Sequence, residues 1–94
     1  MTDIKTIAEC EASRMKEVTY NDLLALPSCM SWEIKNNSTH FIVEMQLDRK
    51  LKDIIRVMLE VSFPCNHHGS YSGFSIYWGK NSHDELIEST DMIF

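Results

Sequence analysis

Four stretches of this chain alternate apolar and polar residues with a period of two. Met30 to Lys35 sets Trp32 and Ile34 on one side, and Phe41 to Leu47 groups Phe41, Val43, Met45 and Leu47. Arg56 to Phe63 repeats the pattern with Val57, Leu59, Val61 and Phe63, and Phe74 to Trp78 with Phe74, Ile76 and Trp78. Successive side chains of a strand point to opposite faces. Each stretch therefore predicts a strand with one buried side, as antiparallel sheets use.

The first residues follow a different period. Ile4, Ile7, Ala8, Met15 and Val18 recur at helical spacing, with Ala12 in the same stripe, and predict a helix from residue 3 to about residue 17. Glu11 is the one charge on its apolar side. Thr19-Tyr20-Asn21-Asp22 then has the spacing of a capping box with Asp in place of Glu, and Val18 and Leu23 stand where a hydrophobic staple pairs. A second helix over 20–26 follows, and Pro27 ends it.

Asn36-Asn37-Ser38-Thr39 reads as a hairpin turn, because asparagine tolerates left-handed backbone. Pro64 ends the third strand and opens an irregular stretch with Gly69 and Gly73. Gly79 to Ser82 turns the chain again, and His83 to Glu88 fits one helical turn capped by Ser82. One segment supports two readings. Leu51, Ile54, Ile55, Met58, Leu59 and Ser62 also fit a helix over 49–62, with Asp48 as cap. The β-branched Ile54, Ile55, Val57 and Val61 favour the strand.

The expected fold is α+β, a single domain over residues 1–94. Two N-terminal helices pack on a four-stranded antiparallel meander sheet, followed by a short C-terminal helix or edge strand. The strand order, with Phe63-Pro64 closing the third strand, resembles the meander of ubiquitin-conjugating and related interaction domains over roughly a third of the chain. No active-site motif accompanies the resemblance, so it implies no function and no site residue.

Composition narrows the function classes. A chain of 94 residues, 44% hydrophobic, supplies one core and little room for an enclosed cleft. Charged residues at 24% are ordinary for a globular domain. The start lacks the basic and apolar regions of a signal peptide, and no apolar run approaches the ~20 residues of a membrane helix. Three cysteines, Cys10, Cys29 and Cys65, make no disulfide framework, so reduced thiols and a cytoplasmic location are expected.

Net charge is −5, and its placement matters more than its total. Asp84, Glu85, Glu88 and Asp91 crowd the end of the chain without a compensating Lys or Arg. Arg49, Lys50, Lys52 and Arg56 alternate with Asp48, Asp53 and Glu60. Phosphate binding needs an uncompensated basic face, so no direct nucleic-acid partner is expected. An acidic surface facing a basic protein suits the charge better.

Candidate chemistry is sparse. Cys65-x-His67-His68 offers thiolate and imidazole, good zinc ligands, with His83, Cys29 or Asp84 to complete a set. It lacks the paired spacing of familiar zinc sites, and adjacent histidines rarely share an ion. The same Cys65 with a histidine base has the residue types of a thiol nucleophile, without a visible oxyanion-stabilising group. Ser82-His83-Asp84 holds triad residue types, but consecutive residues do not line up as a relay.

On the strand reading, Glu33, Glu44 and Glu60 lie opposite the core, beside Lys35 and Arg56. Ile42, Met58 and Tyr77 point the same way, and methionine and aromatic residues are enriched at protein interfaces. Met92, Ile93 and Phe94 add an apolar end that can dock on the core or contact a second subunit.

The leading expectation is thus a small acidic, non-enzymatic binding protein of the inhibitor, immunity or anti-defence kind. It would occlude a basic protein partner as monomer or homodimer, without a cofactor. Asp84, Glu85, Glu88, Glu44 and Glu60 would supply charge, with Tyr77 and Met58 as apolar contacts. The alternative is a zinc- or thiol-dependent site at Cys65, His67 and His68.

Overall fold

The structure, a computed structural model, describes residues 4–36, 39–63 and 73–88. Two helices, α1 (Ile4–Lys16) and α2 (Tyr20–Ala25), precede five strands: β1 (Cys29–Asn36), β2 (Thr39–Asp48), β3 (Ile54–Ser62), β4 (Gly73–Asn81) and β5 (Leu86–Glu88). The strands form one antiparallel sheet in the order β1-β2-β3-β4-β5. This is the expected α+β meander, with the last element an edge strand.

The period of two governs the sheet. Phe41, Val43, Met45 and Leu47 on β2, Ile55, Val57, Leu59 and Val61 on β3, and Trp78 on β4 are all buried on the inner face. They join Ile7, Ala8, Ala12 and Met15 of α1 and Leu23 of α2 in one core cluster. Helix α1 lies over β3 and β4, and α2 reaches β3. Met30, Trp32 and Ile34 of β1, with Phe74 and Ile76 of β4, pack at its margin.

Residues 49–62 resolve in favour of the strand. Cross-strand pairs run unbroken from Ile42↔Ser62 to Asp48↔Arg56 on one side of β3 and from Ile54↔Asn81 to Ser62↔Gly73 on the other. Phe63 falls beyond the strand, 43% exposed, with its ring 5.3 Å from that of Phe41.

Thr19 caps the second helix as its position predicts. Thr19 has extended backbone, and its hydroxyl accepts from the Asp22 N–H at 3.2 Å. Leu26 is extended, as the residue before a proline tends to be. Leu23 is buried in the core, and Val18 packs against that core partly buried.

Two expectations are corrected at the end of β4. The strand runs through Gly79 and Lys80 to Asn81 rather than turning at Gly79. Residues 82–88 form a turn and β5, not a helical turn capped by Ser82. Asn81 is the cause: its side-chain oxygen accepts from the N–H groups of His83 and Glu85, and Asp84 takes positive φ. An Asx-type turn thereby replaces the helix start.

Candidate functional site

Among the described residues one cation is buried on the inner face, and it holds the fold together. Lys80 is 5% exposed, and its ammonium donates to the carbonyls of Lys16 at 2.6 Å and Val18 at 2.9 Å. Those carbonyls lie at and just past the C-terminus of α1, where the helix dipole favours positive charge. Arg49 does the same for α2. Its guanidinium donates to the carbonyls of Leu23 and Leu26 and to the Ser28 hydroxyl. Each helix end is thus latched by a basic residue from a strand or its connection. Neither role shows in local sequence, because donor and acceptor lie far apart along the chain.

Glu11, the anomaly of the α1 stripe, is also explained. One carboxylate oxygen accepts from the Trp32 indole N–H at 3.0 Å and from Arg14 at 2.6 Å. Helix α1 is so tied to edge strand β1.

The acidic turn is likewise engaged within the chain. The Asp84 carboxylate accepts from the Tyr20 N–H at 2.7 Å, at the first turn of α2. Glu85 accepts from the Asn81 side-chain amide at 2.9 Å. Backbone bonds from Asn81 N to Glu85 O and from Ser82 N to Asp53 O complete the corner. Glu88, on β5, pairs in register with Trp78 of β4.

The outer face differs in kind. No described helix or strand packs on it. The register stacks its side chains in rows across the sheet. Asp48 faces Arg56, and the two form an ion pair. In the next row Gln46 faces Met58, which faces Tyr77. In the row after that, Ser31 faces Glu44, Glu44 faces Glu60, and Glu60 faces Ser75. Ile42 lies one row further on and is cut off from Met58 and Tyr77 by the carboxylates.

Glu44 and Glu60 are therefore direct cross-strand neighbours, with Cα atoms about 5.5 Å apart. Like charges so placed repel. Glu60 accepts a long bond from the Ser75 hydroxyl at 3.4 Å, and the Glu44 carboxylate has no hydrogen-bond or ion-pair partner among the described residues. Beside them an open depression of about 400 Å³ is lined by Gln46, Leu47, Asp48, Arg56, Met58 and Tyr77. At its edge the Lys50 N–H and the Arg56 guanidinium hold the Asp48 carboxyl below the usual carboxylate range.

The sequence-expected residues thus fall into two groups. Glu44, Glu60, Met58 and Tyr77 come together on the outer face. Asp84 and Glu85 belong to the β4–β5 corner and Glu88 to β5, and Asn81 lies roughly 20 Å along β4 from Ser75.

Cys65, His67 and His68 lie outside the described residues, as do Asp91 and the apolar end Met92–Phe94. Cys29 on β1 and His83 on the β4–β5 turn are at least three strand spacings apart, about 14 Å, so they cannot both join one ion. Among the described residues no group of His, Cys, Asp and Glu is placed to hold a metal. No helix among them is long and apolar enough to cross a membrane. No family model, curated protein or solved structure matches the chain.

Proposed function

We propose that this chain is a small acidic, non-enzymatic protein-binding module of the inhibitor, immunity or anti-defence kind. Its outer sheet face covers a basic surface of a protein partner. Glu44 and Glu60 receive the partner's Lys or Arg side chains, and Met58 and Tyr77 supply the adjoining apolar contact. The supporting observation is the Glu44–Glu60 pair. Two carboxylates face each other across neighbouring strands at a repulsive cost, and no cation of the described chain meets them. A cation brought by a partner relieves that repulsion and is steered to the site by it.

Asp84 and Glu85 add to the acidic field, but their carboxylates also hold the β4–β5 corner and the start of α2. Reversing their charge therefore disturbs the fold as well as binding. Glu44→Lys with Glu60→Lys separates the two effects. Affinity capture from the source cell with wild type and this double variant tests the reading. A basic protein retained by wild type, released by salt and lost from the variant is the expected result. Retention of the same proteins by both forms would overturn it.

A further inference from the structure

The two edges of the sheet are built differently. At one side β5 is three residues long, and short edge strands resist pairing with other chains. At the other side β1 runs for eight residues with neither proline nor bulge, its register to β2 unbroken from Cys29↔Gln46 to Asn36↔Thr39. Among the described residues no strand covers the far side of β1.

Which backbone groups face that open side follows from one hydrogen bond. Leu47 N donates to Ser28 O at 2.8 Å, just beyond the Cys29↔Gln46 pair. Bonding pairs alternate along an antiparallel ladder. Ser28, Met30, Trp32 and Ile34 therefore bond toward β2, and Cys29, Ser31, Glu33 and Lys35 present their N–H and C=O groups outward. Met30, Trp32 and Ile34 are only partly buried at this margin, so apolar surface accompanies the open backbone.

We propose that β1 is a self-association edge, where two copies of this chain pair antiparallel about a two-fold axis at Ile34. The occupant is a second copy because β1 is complementary to itself in that register. Keeping Trp32 and Ile34 of both copies on the core side allows only axes that pass through a residue. An axis at Glu33 sets the two Glu33 carboxylates face to face. An axis at Trp32 sets Glu33 against Ser31 and Lys35 against Cys29, and pairs no charge. An axis at Ile34 sets Glu33 against the second copy's Lys35, twice by symmetry, and each such pair exchanges both backbone hydrogen bonds. Glu33 and Lys35 are exposed and have no hydrogen-bond or ion-pair partner among the described residues, so both are available. The product is one continuous ten-stranded sheet (five strands from each copy), with Ile34 meeting Ile34 at its centre.

Sedimentation velocity on the full chain tests this, at concentrations up to about 100 μM. Wild type is expected to form a dimer. Glu33→Lys and Lys35→Glu each turn two attractions into two repulsions and should weaken the dimer by about tenfold or more. The combined Glu33→Lys/Lys35→Glu chain restores the pairing and should recover the dimer. Hydrogen exchange of wild type gives a check free of variants, because the Glu33 and Lys35 amides should gain protection as concentration rises. A monomer throughout that range overturns the proposal. So does a dimer that both single reversals leave intact, or one whose formation leaves these two amides unprotected.

Discussion

The inner and outer faces of this sheet use the same strands to opposite ends. On β3, Val57, Leu59 and Val61 are fully buried, whereas their neighbours Arg56, Met58 and Glu60 are only partly covered. Packing accounts for the buried apolar residues of the inner face, and hydrogen bonding for Lys80, whose ammonium meets two carbonyls at the end of α1. Packing does not explain the outer face, where Glu44 meets Glu60. Residues that a fold does not need, and pays for, are the ones to examine for function.

The widest gap between the faces should appear at adjacent positions of β3. Leu59→Ala empties part of the core and should cost about 2–5 kcal/mol in urea unfolding. Met58→Ala, one residue away on the outer face, should stay within about 1 kcal/mol. Equal losses would mean that the outer face is covered as thoroughly as the inner one.

Lys80→Met comes next. It keeps an unbranched stem in the core but leaves the Lys16 and Val18 carbonyls without their donor. A loss of about 2 kcal/mol is expected by the same measurement, in the range for hydrogen bonds to a charged group. A stability-neutral Lys80→Met would show that water serves those carbonyls equally well.

The smallest effect belongs to Asp48, on the outer face. Its folded-state carboxyl titrates below its unfolded value, because the Lys50 N–H and Arg56 favour the charged form. The stabilisation is thus complete above the ordinary Asp value of about 4 and is lost as pH falls through the lower folded value. The side chain is 30% exposed, so solvent screens the effect. Thermal unfolding of wild type and Asp48→Asn should differ slightly near neutrality and converge in acid. A difference that widens in acid would reverse the assignment.

The sequence spelled out whatever repeats locally. Alternation placed β1 to β4 and the inner face, and Thr19 marked the start of α2 because a cap acts within three residues. At residues 54–62, β-branched residues and alternation outweighed a helical spacing that fitted almost as well. The latches were hidden for the converse reason. Lys80 and Arg49 meet carbonyls 62–64 and 23–26 residues away, and nothing near either residue marks it as a cap. Asp84 and Glu85 read as free charge, although one holds Tyr20 and the other Asn81. The outer-face group of Glu44, Glu60, Met58 and Tyr77 followed from alternation alone. That Glu44 stands opposite Glu60, and that Ile42 is cut off from Met58, required the register.

Urea unfolding of Glu44→Gln at low and high salt tests most directly whether the fold needs the paired carboxylates. If they are held there against the interest of stability, the variant is more stable than wild type by about 0.2–1 kcal/mol at low salt, and the gain shrinks as salt rises. A variant less stable than wild type would contradict the account, because Glu44 would then be serving the fold rather than a partner.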